Sequence, residues 1–252
     1  MAPVVDLNAD IGEYADADAA DRETALMRLV SSCSIACGGH TGDEATMRRT
    51  VQLAKESGVA VGAHPSYPDR DGFGRRSLRL DEAELGASIR KQINDLRMIA
   101  EQETVTLAYV KPHGALYNDA ARNAALAALV VDACELFPIV GPPDSALEKA
   151  AKAKGLRFVC EGFVDRLYRR DGSLTPRSEP GAVIADIATR ATQATSIALG
   201  KKFLAADGDL QLHVDTLCIH SDSEGAVETA RAVRDALGAA GVTIAPFAPA
   251  LS

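Results

Sequence analysis

Tryptophan is absent from this sequence, and phenylalanine and tyrosine together supply only 4% of its 252 residues. A core so short of aromatics is built from Ala, Val, Leu and Ile, which suits helices packed on a parallel sheet. The five cysteines (Cys33, Cys37, Cys134, Cys160 and Cys218) are odd in number and form no Cys-x-x-Cys pair. That pattern argues against a zinc knuckle or a disulfide framework and predicts buried free thiols in a reducing compartment. No apolar run approaches the roughly 18 residues of a membrane span. The opening residues, Met1 to Asp6, show no basic segment followed by an apolar one, so no signal peptide is expected and the expected location is the cytoplasm. Positive charge is not in excess either: 27 Lys and Arg stand against 35 Asp and Glu, a formal net charge of −8. Such a surface repels phosphate backbones, which argues against a nucleic-acid partner. Neither the Rossmann glycine fingerprint nor the Gly-x4-Gly-Lys-Ser/Thr phosphate loop occurs.

What is present is alternation. Short apolar runs predict strands at 4–7, 33–36, 59–62, 107–110, 138–140, 157–160 and 216–219, with a weaker eighth at 242–247. Between them, helical patterns fall at about 22–30, 43–57, 81–102, 120–135, 144–154, 182–199 and 224–240. Asp43 and Asp81 supply helix starts, with Glu84 at the capping-box spacing, and Gly58, Gly155 and Gly241 supply stops. The charges of 81–102 (Arg90, Lys91, Asp95, Arg97) read as a solvated face. Strand and helix repeated this often imply right-handed crossovers and a parallel sheet, here a single-domain (β/α) barrel of seven or eight strands over 1–252, with an open doubly wound sheet as competitor. Two long irregular segments, 64–80 and 162–181, follow strands and are placed to shape a site.

Nearly every predicted strand ends in reactive or backbone-permissive residues: Asn8-Ala-Asp10-Ile-Gly-Glu13, Gly38-Gly-His40, Ala63-His64-Pro65, Lys111-Pro-His113-Gly114, Glu161-Gly-Phe-Val-Asp165-Arg166 and His220-Ser-Asp222. In a barrel these ends face one another at one mouth, where active sites are built. Four of the five histidines fall there, and His213, in an alternating run read as a short edge strand, is assigned no role. Asp10 and Glu13 suit a general base or metal ligands, and neutral imidazoles shuttle protons or coordinate a divalent ion. Lys111 beside His113 offers a cation to a carboxylate or a developing oxyanion. Arg70, Arg75 and Arg76, spaced by Gly72 and Gly74, form a basic loop suited to an anion, the bland alternative being a solvated turn. Asp165 and Arg166 also read as a local ion pair ordering their loop.

These motifs together resemble the LamB/YcsF lactam-utilisation family, whose members are A subunits of the bacterial ATP-dependent 5-oxoprolinase. The matching segments include Asp6-Leu-Asn-Ala-Asp-Ile-Gly-Glu13, Ser34-Ile-Ala-Cys-Gly-Gly-His40, Val61-Gly-Ala-His-Pro-Ser-Tyr-Pro-Asp-Arg70, Gly72-Phe-Gly-Arg-Arg76, Val110-Lys-Pro-His-Gly-Ala-Leu-Tyr-Asn118 and Asp215-Thr-Leu-Cys-Ile-His220. The resemblance implies a seven-stranded barrel akin to sugar deacetylases. It implies opening of 5-oxo-L-proline to L-glutamate, driven by ATP with Mg2+, in a complex with two other subunits. The strand-end placement itself points to catalytic roles for Asp10, Glu13, His40, His64, Lys111 and His113. Substrate contacts would fall to Asn8, Arg70, Arg75, Arg76, Asn118, Asp165, Arg166, His220 and Asp222. Thr41 and Ser221 depart from the family's Ala and Gly, and Ser223-Glu224 from its Asn-Pro, which bears on the shape of the seventh loop.

Two other classes compete. A stand-alone metal-dependent amide hydrolase or deacetylase would use a two-histidine, one-carboxylate set such as Asp10, His40 and His64. A non-catalytic scaffold or carbohydrate-binding module would need no such concentration of His, Asp, Glu and Lys at strand ends.

Overall fold

The computed structural model describes residues 2–14 and 16–248. Eight strands form the main sheet: β1 (Val4–Ile11), β2 (Ser32–Ala36), β3 (Ala60–His64), β4 (Leu107–Val110), β5 (Ile139–Gly141), β6 (Phe158–Phe163), β9 (Thr216–His220) and β10 (Thr243–Ile244). All pair in parallel, and β9 returns to β1 (Asp6 beside Thr216, Asp10 beside His220), so seven of them close a barrel. The eighth predicted strand, 242–247, is only the two-residue β10, which joins β1 at Val4 and Val5 and stays outside the ring. A separate antiparallel hairpin, β7 (Lys202–Ala205) and β8 (Gly208–Gln211), was not foreseen as a pair.

The helices wrap the ring: α1 (Ala17–Met27), α2 (Glu44–Ser57), α3 (Glu82–Gln102), α4 (Gly114–Arg122), α5 (Ala124–Ala133), α6 (Ala146–Ala153), α7 (Ile187–Ala198) and α8 (Ala226–Ala239). Their starts are chemically explicit. Asp16, Asp43, Asp81, Asn123, Ser145 and Asp186 each accept a main-chain N–H of the first turn, which satisfies donors a helix cannot use itself. The helix expected at 22–30 therefore begins earlier, behind Asp16, and the one expected at 182–199 begins later, behind Asp186. The helix expected at 120–135 is two, because the extended backbone of Asn123 ends α4 and caps α5.

Strand alternation divides the interior in two. Along β1, Val5, Leu7, Ala9 and Ile11 join the large apolar core beneath the helices. Asp6, Asn8 and Asp10 are equally buried but point the other way, into the barrel. There Asp6 accepts from the hydroxyls of Ser31, Ser32 and Thr216, and Asn8 donates to Glu161 (3.1 Å) and Thr216 (2.7 Å). Tyr109, Val140 and Val159 form a small apolar plug inside the ring, covered by Phe247. Gly62 is required beside that plug: a Cβ there would stand 2.2 Å from the Tyr109 ring. The barrel is thus filled by apolar side chains at one level and by hydrogen-bonded polar ones above, and the polar column leads to the strand C-termini.

Candidate active site

Lys111, immediately after β4, is 2% exposed and places its ammonium across the barrel. Its Nζ lies 2.8 Å from Asp10 Oδ1 and 2.8 Å from Glu161 Oε1, with Asn8 Oδ1 at 3.3 Å and Cys218 Sγ at 3.2 Å. Burial alone would strip its proton. Asp10, Cys218 and Glu161 outweigh that and hold the pKa well above the ordinary lysine value. Burial likewise pushes Asp10 toward neutrality, but His64 and Lys111 hold its carboxyl well below the usual range, so it stays ionised.

Above this ion pair three imidazoles meet one carboxylate. His40 and His113 stack with ring centroids 3.7 Å apart, and His64 stands edge-on to both. Glu13 Oε1, just beyond β1, is 2.8 Å from His40 Nε2, 3.4 Å from His113 Nδ1 and 3.9 Å from His64 Nε2. Burial depresses His40 to about 2 and His113 to about 3, so both are neutral imidazoles. Burial raises Glu13, with the charge of Asp10 adding to it and His113 opposing. His64 is also pushed down by burial, but the Asp10 carboxylate 3.4 Å from its Nε2 reverses the direction and raises it.

The loops that present these groups lock the rings. His64 Nδ1 bonds the Lys111 carbonyl at 2.8 Å, and His113 Nε2 bonds the Phe73 carbonyl at 3.0 Å. A carbonyl only accepts, so both ring nitrogens carry hydrogen, and the inner nitrogens, His64 Nε2 and His113 Nδ1, face each other at 3.0 Å. Two neutral rings so held would oppose lone pairs, and the arrangement is satisfied by a proton or a cation between them. Glu13, His64 and His113 offer ligand atoms all within 4.8 Å of one another, and Asp10, Cys218 and His220 form a second such group. The set expected from sequence, Asp10, His40 and His64, is not the one brought together, because His40 turns its Nε2 to Glu13 and serves as that carboxylate's partner.

A cavity of about 300 Å3 opens over this cluster, lined on one side by Asp10, Glu13, His64, Lys111 and His113. His220 and Asp222 line it too. His220 Nδ1 is 2.9 Å from Asp165, which burial pushes up but His220 and Ser223 bring down to about 2. The other expected substrate residues divide: Arg75, Asn118 and Arg166 line the cavity, and Asn8, Arg70, Arg76 and Asp165 do not. Arg70 donates to the Gly38 and Gly42 carbonyls, and Arg76 pairs with Asp69, so both tie loops together outside the cavity. Asn8 sits below Lys111, inside the barrel. Asn118 lines the cavity while its amide donates to Gly114 O at 3.0 Å. Asp165 and Arg166 form no local ion pair: the aspartate faces His220, and the arginine donates to the carbonyls of Ala182 and Thr175. Arg75 reaches Asp222 at the cavity mouth. Sequence reasoning missed Glu161 as a site residue, along with Cys218, Arg122 and Arg177. The apolar run alone ends the strand at 160, whereas β6 runs to Phe163 and makes Glu161 an inward position.

The LamB/YcsF family model matches residues 5–252. The chain belongs to the LamB/YcsF family. Among its relatives, the 5-oxoprolinase A subunit of Chloroflexus aggregans is 46% identical over 95% of this chain and 97% of its own length. That of Thermus thermophilus is 44% identical over 96% and 99%. The crystal structure of a lactam utilization protein from Thermus thermophilus superposes with a TM-score of 0.89 at 42% identity, covering 97% of this chain and all of that one. A family 4 carbohydrate esterase from Streptomyces lividans gives a TM-score of 0.50 at 12% identity over 98% of this chain and 94% of its own, a likeness of fold alone. No helix among the described residues is long and apolar enough to cross a membrane.

Proposed function

We propose that this chain is the A subunit of an ATP-dependent 5-oxoprolinase and that its cavity opens the lactam ring of 5-oxo-L-proline to give L-glutamate. The observation that carries the reading is the convergence, at the cavity floor, of the buried Lys111–Asp10–Glu161 network with the Glu13–His40–His64–His113 cluster. The near-full-length likeness to 5-oxoprolinase A subunits supports it. A five-membered lactam is a stable amide, so water must be activated and the departing ring nitrogen protonated. Glu13, raised by burial, is matched to take a proton from water, and His64, raised by Asp10, to give one to the ring nitrogen. Lys111 stabilises oxyanion charge developing on the carbonyl from within a water-poor site. Activation would come from ATP with Mg2+, its terminal phosphoryl passing to the amide oxygen with release of ADP and leaving as inorganic phosphate when the ring opens, in an assembly with two further subunits; this sequence carries no phosphate-cradling loop.

A second reading rests on the facing nitrogens of His64 and His113. Their outer nitrogens are held by main-chain carbonyls, the support that metal-binding histidines use, and Glu13 completes a two-histidine, one-carboxylate set. A divalent ion held there would supply Lewis-acid polarisation of an amide carbonyl. Metal content of the purified chain separates the two: one ion per chain, lost in His113→Ala, favours this reading, and none favours the proton. The activity itself is tested by ATP-dependent glutamate release from 5-oxoproline with the partner subunits present.

A further inference from the structure

The cavity lining beyond the acid–base cluster is rich in arginine. Arg75, Arg122, Arg166 and Arg177 all line the cavity, brought there by the loop after β3, the end of α4 and the long segment after β6. Arg166 is 6% exposed, and its guanidinium donates to the Ala182 and Thr175 carbonyls at 3.2 and 2.7 Å. No carboxylate among the described residues lies within ion-pair distance of it, since the neighbouring Asp165 is engaged by His220 and Ser223. Burial, followed by the nearby Arg177, brings Arg166 down to about 10, with Arg75 contributing in the same direction. Among the described residues Arg177 has one ion-pair partner, Asp222 at 3.7 Å, and Asp222 is shared with Arg75. Three guanidiniums therefore share the cavity lining, two of them on one carboxylate and the buried third on carbonyls alone, an arrangement that like-charge repulsion disfavours until an anion arrives.

We propose that Arg75, Arg166 and Arg177 form a substrate-oxyanion subsite that orients the ligand, anion toward the arginines and ring amide toward His64 and His113. The assignment rests on the lactam reading above and adds to it a specificity rule. The cation at the floor, Lys111, is already paired with Asp10 and Glu161, so a lactam bearing a carboxylate meets less fully paired cations only among the arginines and enters one way round, and a neutral lactam lacks the handle. Carboxylate on the lactam and phosphoryl carried by an activated lactam share this oxyanion chemistry. Arg166 is a fixed post, held by its carbonyls, whereas Arg177, with 30% of its side chain exposed, is free to close on the ligand.

The test is equilibrium binding by calorimetry to the purified full chain, with 5-oxoproline, neutral 2-pyrrolidinone and inorganic phosphate as probes. Wild-type chain is expected to bind at least one of the two anions saturably, and to bind 2-pyrrolidinone at least tenfold more weakly than that anion. Arg177→Ala is expected to weaken the bound anion about tenfold or more, Arg177→Lys to recover part of it, and neither to change 2-pyrrolidinone binding. Preference for 5-oxoproline assigns the subsite to the carboxylate, and preference for phosphate assigns it to a phosphoryl group. Anion binding within twofold of wild type in both Arg177→Ala and Arg75→Ala overturns the subsite, as does saturable binding of neither anion to the wild-type chain. Because binding is read directly, this outcome stays separate from failure of the activity, which glutamate release by the wild-type assembly reports.

Discussion

Lys111 and His113 are two positions apart, yet they stand in different energetic situations. Removing Lys111 leaves the buried Glu161 without its cation and Asp10 with His64 alone. Lys111→Met is therefore expected to cost about 3–5 kcal/mol of stability, as breaking a buried pair from one side does. A urea-unfolding midpoint unchanged from wild type would show that the pair is not what holds the barrel's upper layer. His113→Ala removes a neutral ring bonded to the Phe73 carbonyl at the cavity wall. It is expected to cost turnover at least about a hundredfold, the scale of general acid–base contributions. The exposed His213 serves as the control and should keep full activity when changed to Ala. Asp6 makes a pH prediction. Burial raises its carboxyl from 3.8 to about 6 despite three hydroxyl donors. The folded state then holds this proton more tightly than the unfolded one, so its contribution is fully present below about pH 4 and declines as pH rises through 6, by on the order of 3 kcal/mol. Asp6→Asn should flatten that decline in denaturation curves taken from pH 4 to 7, and an unchanged slope would assign it to other groups.

At the scale of elements, the loops do as much positioning as the strands. Gly74 and Gly114 cross at close range: Gly114, at φ +57°, would bring a Cβ within 2.5 Å of Gly74 O, and Gly74, at φ +62°, would bring one within 2.9 Å of His113 and His40. This crossing packs the 64–80 segment over the start of α4 and sets both rings. Gly114→Ala is expected to lower stability more than Gly241→Ala, whose φ is also positive but whose Cβ would meet nothing within 4 Å. The left-handed backbone alone accounts for about 1–2 kcal/mol in either variant, so the excess in Gly114→Ala measures the crossing. Equal losses in thermal unfolding would show that the contact relaxes freely. The seven barrel strands were legible in the sequence because each is an apolar run between helical patterns. Their ends were less so. The inward alternation of Asp6, Asn8 and Asp10 prolongs β1 to Ile11 but reads as a loop when only apolar residues are counted. The first two turns of helix α4 are not legible because it opens on Pro112, His113 and a positive-φ glycine with no side-chain cap, which resembles a turn. Arg122 and Arg177 were missed as site residues because only the fold brings α4 and the segment after β6 to one mouth.

For the whole molecule, ring closure gathers the chemistry. Because the seven barrel strands run parallel and β9 returns to β1, every residue at a strand C-terminus is delivered to the same end, while the apolar plug seals the ring below it. The strand-end clustering of histidines and carboxylates was enough to anticipate that mouth, and Asp10, Glu13, His40, His64, Lys111 and His113 do meet there. Which of them bond one another was not legible, since it depends on two main-chain carbonyls, of Lys111 and Phe73, that no residue pattern announces. The cavity is open to solvent along Arg75, Arg122 and Arg177, and an activated lactam there would be exposed to water unless a partner covers it. The most direct test is glutamate production from 5-oxoproline, with ATP consumption followed in parallel, by the chain alone and by the chain mixed with the two further subunits of the proposed assembly. The expected result is glutamate formed in step with ATP use in the mixture only, and lost when His113→Ala replaces the wild-type chain. ATP-independent release by the chain alone would contradict the account, and so would a mixture that makes glutamate equally well without this chain.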